Sequence, residues 1–175
     1  RTGKLSIRPV EFDLSRAVGH LLESFAPQIS AAHSSVNFTA EQPVIGRWDE
    51  FRIEQVVSNL LTNALRYGAN KPIEVSVYTE GDCAVIDVRD QGIGISEENQ
   101  QRVFQQFERV SASHVTAGLG LGLFISEQII AAHSGTISVQ SALGEGALFK
   151  VRLPRVQASA TNDHGHGRMG SNDTD

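Results

Sequence analysis

Cysteine is almost missing from this chain of 175 residues: Cys83 stands alone, so no disulfide can close within it, and a single thiol fits a reducing compartment. No stretch approaches the ~20 apolar residues of a membrane span, and no signal-peptide pattern opens the sequence. Runs of basic residues are absent too, and the net charge of -5 argues against a nucleic-acid surface. Aromatic residues are sparse at 6%, yet 40% of the chain is hydrophobic, which suits one globular domain with a sizeable core. The one methionine is Met169, not the first residue, so a fragment of a longer protein is the expectation.

What is present alternates between helical and extended patterns, with no internal repeat. Leu5 to Phe12 reads as extended, and Asp13 or Ser15 is placed to cap a helix running to about His33, with Ala17, Leu21, Phe25 and Ile29 four residues apart. Val36 to Thr39 and Pro43 to Trp48 read as short strands. Asp49 then caps a second helix whose apolar residues Ile53, Val56, Val57, Leu60, Leu61, Ala64 and Leu65 follow the helical repeat, and Gly68 is expected to end it in the left-handed conformation. Ile73 to Thr79 and Ala84 to Val88 alternate as strands around a Gly81-Asp82 turn. A third helix is expected from about Leu121 to Gly135, followed by a last strand pair, Ile137 to Ser141 and Ala147 to Leu153. Beyond Pro154 small and polar residues dominate and cannot bury enough apolar surface to offset ordering, so 157–175 is expected to be a disordered tail.

Three places carry chemistry. On the second helix Gln55, Asn59 and Asn63 recur every four residues, forming one polar stripe beside the buried face. Asn63 offers an uncharged oxygen, which suits Mg²⁺ when nucleotide phosphates supply the negative charge; Arg66 and Tyr67 extend the stripe with a cation and a hydroxyl. Strand alternation puts Asp90 on the same face as Ala84, Ile86 and Val88, so its carboxylate should point inward and need a hydrogen-bond donor such as an adenine amino group. Gly92 and Gly94 beside it would let backbone approach the ring. Gly118, Gly120 and Gly122 alternate with Leu119, Leu121 and Leu123 directly before a helix, a combination of exposed amides and helix N-terminus that favours phosphate. The spacing is neither that of the P-loop, since no Lys-Ser/Thr follows, nor that of the dinucleotide fingerprint.

Four segments, Asn59 to Gly68, Asp90 to Ile95, Phe104 to Val110 and Gly118 to Ile125, resemble in this order and spacing the N, G1, F and G2 boxes of sensor histidine kinases. Those kinases share a superfamily with DNA gyrase, mismatch-repair MutL and the ninety-kilodalton heat-shock chaperone. Leu143 to Ala147 resembles a G3 piece, and the likeness covers roughly Leu5 to Pro154. It implies an α/β (α+β) two-layer sandwich, a mixed sheet with helices on one face, holding ATP between the N-box helix and a flexible lid. It also implies a domain over 5–156, with 1–4 the end of a linker from a dimerisation region.

Carried over by position, Asn63 resembles the Mg²⁺ ligand, Asn59 its neighbour at the phosphates, and Arg66 and Tyr67 the basic and aromatic phosphate contacts. Asp90 resembles the acceptor of the adenine amino group, in a pocket shaped by Gly92, Gly94 and Ile95. Phe104 and Phe107 resemble the anchors of the lid base, Arg109 an arginine reaching the terminal phosphate, and the segment Gly118, Leu119, Gly120, Leu121, Gly122 and Leu123 the phosphate-side hinge. Phe107 to Ala117 is then expected to be mobile until phosphates order it. Asn59, Asn63 and Arg109 are the residues the resemblance makes catalytic.

Two departures stand out. Leu119 occupies a position that is usually threonine, and the phosphoacceptor box, a histidine followed by an acidic residue and a proline, is missing. Neither His20 nor His33 fits that box, and His114 and His133 read as structural or solvated. The resemblance therefore implies a catalytic domain that transfers the γ-phosphate of Mg-ATP to a histidine on a separate dimerisation domain, for relay to a response regulator. Its setting would be cytoplasmic, whether or not the parent protein is anchored in a membrane. Three other readings share the boxes: a gyrase- or MutL-like ATPase, an anti-sigma-type serine kinase and a non-catalytic nucleotide-binding module. The first needs a glutamate one turn before the metal ligand, where this chain has Asn59, an amide that cannot act as a general base.

Overall fold

In the computed structural model, which describes residues 5–68, 70–106 and 121–156, two sheets and a layer of helices share one core. The order is β1 (Val10–Asp13), α1 (Leu14–Ser24), α2 (Ala26–Ala31), β2 (Val36–Ala40), β3 (Ile45–Trp48), α3 (Glu50–Tyr67), β4 (Ile73–Glu80), β5 (Cys83–Arg89), α4 (Glu97–Gln100), α5 (Gly122–Ala132), β6 (Thr136–Ser141) and β7 (Ala147–Pro154). The main sheet runs β2-β4-β5-β7-β6; β2 and β4 are parallel and every other neighbour pair is antiparallel. This is the mixed sheet and two-layer α/β sandwich that the sequence led us to expect.

Alternation along the central strands explains why the helices cover one face. Ile73, Val75 and Val77 on β4, Ala84, Ile86 and Val88 on β5, and Ala147, Phe149, Val151 and Leu153 on β7 are all buried in the core. The opposite face carries Glu74, Arg89, Asp87, Lys150, Glu80 and Arg152, joined by ion pairs such as Arg152–Glu80 at 2.8 Å. Charged side chains keep that face in solvent.

α3 runs through the centre of the helical layer. Its predicted apolar positions Ile53, Val56, Val57, Leu60, Leu61 and Ala64 are buried, and Asp49 caps it by accepting the Arg52 N–H at 3.2 Å. α5 packs beside it, and the fully buried His133 fastens the two. Its Nε2 accepts the Asp49 N–H at 3.0 Å, which leaves Nδ1 to donate to the Ile129 carbonyl at 2.7 Å. His133 is thus structural.

Two expectations need correction. The helix expected to reach His33 breaks at Phe25, because Pro27 has no N–H to continue the ladder; it sits instead in the first turn of α2. Within the segment expected to be extended, β1 pairs with β3 in a separate two-stranded sheet where Val10 faces Trp48. Gly68 ends α3 with φ −77°, not left-handed; the positive φ falls on Asn70, at 60°. Glycine is needed at 68 for space, since a Cβ there would lie 2.3 Å from the Ala64 carbonyl oxygen. Among the described residues no helix is long and apolar enough to cross a membrane. The segments 1–4 and 157–175, expected as linker and tail, lie outside the described residues.

Candidate functional site

β5 ends where the chemistry begins. Asp90 continues its inward-facing alternation, is only 6% exposed, and lies beside the C-terminal end of α3, where a Cβ on Gly68 would sit 3.6 Å from the Asp90 Cβ. Its backbone N–H donates to the Ala147 carbonyl at 2.9 Å, and its Oδ1 accepts the Gly92 N–H at 2.9 Å. Burial pushes its carboxyl above the usual carboxylate range, while the amides of Gly92 and Ala147 pull it partly back. A carboxylate accepts at about four lone-pair sites, so this one keeps acceptor capacity beyond the amides that already bond it.

Close backbone contacts form the walls around it. Ile93 N–H donates to the Tyr67 carbonyl at 3.2 Å, and Gly144 N–H donates to the Ile93 carbonyl at 2.8 Å. Gly94 takes φ 71° and would set a Cβ 2.0 Å from the Ala142 carbonyl oxygen; Gly146, at φ 77°, would set one 2.1 Å from the Asp90 carbonyl oxygen. Only glycine meets both conditions at these places. Ile95 is partly buried against the core and fixed through its N–H to Ser141 Oγ at 2.8 Å. Phe104 stands edge-on to Phe149, ring centres 6.3 Å apart, at the far side of the same segment.

The polar stripe of α3 faces α5. Asn59 Nδ2 donates to the Gly122 carbonyl at 3.1 Å and to Ser126 Oγ at 3.2 Å, and Ser126 Oγ donates to the same Gly122 carbonyl at 2.8 Å. This triangle places the N-terminus of α5, with Leu121 as its N-cap and Gly122 and Leu123 in its first turn, directly beside Asn59. Asn63, one turn further along, is half-buried, and its side-chain amide has no hydrogen-bond partner among the described residues. Arg66 is exposed with its guanidinium 6.0 Å from the Tyr67 ring, itself 38% exposed. Among the described residues no group of three or more His, Cys, Asp or Glu could hold a metal ion.

The structure therefore assembles Asp90, Gly92, Gly94 and Ile95 with the end of α3, and Asn59 with Gly122. Phe107, Arg109, Gly118, Leu119 and Gly120 lie outside the described residues. Gly146, Ser126 and the short α4, capped by Ser96 accepting the Asn99 N–H, were not anticipated. Only the glycine carried a signal, as part of Leu143 to Ala147; a buried serine on a nearly all-apolar helix announces itself only once α3 is seen beside it.

Residues 48–157 match the family model of histidine kinase-, DNA gyrase B- and HSP90-like ATPases. The chain is 36% identical over 145 residues to the sensor histidine kinase RppB of Synechocystis sp., spanning 81% of this chain and 32% of RppB. It is 35% identical over 155 residues to the sensor histidine kinase RcsC of Escherichia coli, spanning 86% of this chain and 16% of RcsC. The chain thus spans a third or less of the length of these relatives. The nucleotide-free catalytic domain of histidine kinase ThkA superposes with a TM-score of 0.76 at 25% identity, covering 86% of this chain and 100% of that one. Full-length ShkA in complex with AMPPNP gives 0.78 at 24% identity, covering 90% of this chain and 33% of that one, and shares the fold. The family match runs from the cap of α3 through Asp90 and the glycine-rich turns to the end of β7: the chain belongs to the histidine kinase-, DNA gyrase B- and HSP90-like ATPases.

Proposed function

We propose that this chain is the Mg-ATP-binding catalytic domain of a two-component sensor histidine kinase, a unit over 5–156 that delivers a γ-phosphate to a histidine on a separate dimerisation domain for relay to a response regulator. The observation that carries the reading is Asp90: a buried carboxylate at a strand end, held by the backbone amides of Gly92 and Ala147, with acceptor sites left over and glycines on its flanks. An adenine amino group supplies the donor such a carboxylate needs, whereas guanine presents a carbonyl there and is repelled.

The phosphates then fall toward α3 and α5. Arg66 and Tyr67 offer a cation and a hydroxyl, and the N-terminus of α5, with Leu121, Gly122 and Leu123, offers backbone amides and a partial positive charge. Gly118, Leu119, Gly120 and Arg109 enter this reading through the resemblance of their motifs, as do Phe104 and Phe107 at the base of the lid. The residues present fit Mg²⁺: Asn63 has an uncharged oxygen free among the described residues, a hard donor that could share the cation with phosphate oxygens. When bound, the ion neutralises phosphate charge; Asn63 holds it and Asn59 stands beside it.

In the transfer, the γ-phosphorus gains a bond to the acceptor histidine nitrogen and loses its bond to the β–γ bridging oxygen, which leaves with ADP carrying the negative charge, while the imidazole gives up its N–H proton to a base outside this domain. The domain contributes placement and charge neutralisation, since phosphoryl transfer needs little covalent help from the protein. Asn59 cannot take a proton from water, so hydrolysis should be poor.

The test is radiolabelled ATP with this chain alone, then with a fragment carrying the parent's dimerisation helices. Label should appear only on the added fragment and be acid-labile, as phosphohistidine is. Acid-stable label on the isolated chain would overturn the proposal, and label confined to an added serine-bearing protein would reassign the chain to the anti-sigma-type kinases.

A further inference from the structure

The triangle between α3 and α5 uses up one side of an amide. Gly122 O is a carbonyl and can only accept, so the Asn59 side-chain atom 3.1 Å from it must be nitrogen. The second N–H of that nitrogen meets Ser126 Oγ at 3.2 Å, and the Ser126 hydroxyl proton is already committed to Gly122 O at 2.8 Å, which turns its lone pairs toward Asn59. Both Asn59 donors are therefore spent on α5. Its Oδ1 accepts no hydrogen bond among the described residues, and it lies one helical turn from Asn63.

We propose that Ser126 is a positioning residue that locks the Asn59 amide so that only its oxygen is offered on the stripe shared with Asn63, where it accepts hydrogen bonds from the hydration shell of the nucleotide's divalent cation. The inference rests on the functional reading above and sharpens it. Asn59 would then contact no phosphate directly, because an oxygen cannot donate to an oxygen. Ser126 is fully buried on α5, its hydroxyl engaged with Gly122 O and the Asn59 amide. Its effect passes through Asn59 alone. A serine in a helix ordinarily satisfies its hydroxyl on the carbonyl four residues back, as this one does; what sets Ser126 apart is that the same oxygen also receives the amide of a neighbouring helix.

The role predicts a selective defect. Ser126→Ala removes one buried oxygen and leaves the Gly122 contact, so the fold should persist while the amide keeps one anchor in place of two and holds its oxygen less firmly in place. Calorimetric titration of ATP at stepped Mg²⁺ concentrations should show the Mg²⁺ needed for half-maximal binding rising about tenfold, the scale set by losing an outer partner of a metal ligand. ATP binding in EDTA should be unchanged. Ser126→Thr, which keeps the hydroxyl, should restore the wild-type midpoint. In the nucleotide-free protein, the Asn59 side-chain amide protons should exchange slowly in the wild type and fast in Ser126→Ala. Equal weakening of ATP binding with and without Mg²⁺ would mark a merely structural serine and overturn the proposal, as would an unmoved midpoint or unchanged amide exchange. No nucleotide binding by the wild-type chain would instead overturn the functional reading on which the proposal rests.

Discussion

The carbonyl oxygen of Tyr67, at the end of α3, occupies the space a side chain on Gly92 would need: a Cβ there would lie 1.7 Å from it. The neighbouring Ile93 N–H donates to that same carbonyl at 3.2 Å, so the helix end and the segment after β5 are pressed together, backbone against backbone. The contact fixes Asp90, two residues earlier, relative to the polar stripe of α3.

Gly92→Ala must therefore push the Asp90 segment off α3. The expected cost is ~1 to 3 kcal/mol, typical of overpacking against atoms that cannot yield, and ATP affinity should fall more steeply than stability because the acceptor itself is displaced. Urea unfolding and calorimetry on one preparation check both; a variant that melts as the wild type and binds ATP equally well would refute the account of this contact.

For Asp90, the sign of the pH dependence follows from its raised carboxyl value. In the window between the ordinary carboxylate range and the raised native one, the folded state holds a proton that the unfolded chain has lost, so stability falls as pH rises through that window. Above it the full penalty of the buried charge is present. Asp90→Asn removes this penalty and should flatten the stability–pH profile. Its Oδ1 would still serve Gly92 N–H, which turns the new NH₂ toward the adenine amino group. ATP affinity should drop by ~1.5 to 3 kcal/mol, ten- to a hundredfold, and the preference over GTP should narrow. Thermal melts across acidic to neutral pH, paired with ATP and GTP titrations, read out both halves.

Asn63→Ala takes away an amide oxygen that makes no hydrogen bond within the described protein. Little stability should be lost, within about 0.5 kcal/mol as for a partly exposed helix position. Mg²⁺-dependent ATP binding and transfer to the dimerisation fragment should both vanish. A substantial loss of folding stability would show instead that Asn63 has a structural partner.

His133→Phe keeps much of the ring volume but leaves the Asp49 N–H without its acceptor. A buried donor left unpaired costs ~1 to 3 kcal/mol, and here it would also loosen the first turn of α3. Denaturant unfolding should show that loss, and ATP affinity for the folded fraction should be nearly preserved, since the residue stands at the end of α3 remote from Asn63 and Tyr67.

Much of this arrangement was legible in the residues because it is local. The i, i+3, i+4 repeat from Ile53 to Leu65 marks α3 and its polar stripe together, and the period of two from Ala84 to Val88 turns Asp90 inward before any partner is known. What could not be read depended on remote neighbours. Nothing near Gly68 in sequence distinguishes a glycine needed for φ from one needed for space beside Ala64 O. His133 and Asp49 meet across 84 positions, and Ser126 gains meaning only from Asn59 on another helix. The break at Phe25 is the exception: Pro27 stands in plain view, inside the four-residue apolar recurrence that runs through to Ile29.

The Asp90 N–H bond to Ala147 O closes a neck. The chain leaves the middle of the main sheet at Asp90, passes through α4, α5 and β6, and re-enters at Ala147 on the adjoining strand, in the register Arg89↔Leu148. Insertions or deletions within that excursion need not shift the pairing of β5 with β7, because both ends of the detour are fastened at one point. Such a layout lets evolution lengthen, shorten or rewrite the segment between α4 and α5 while Asp90 stays fixed to the sheet.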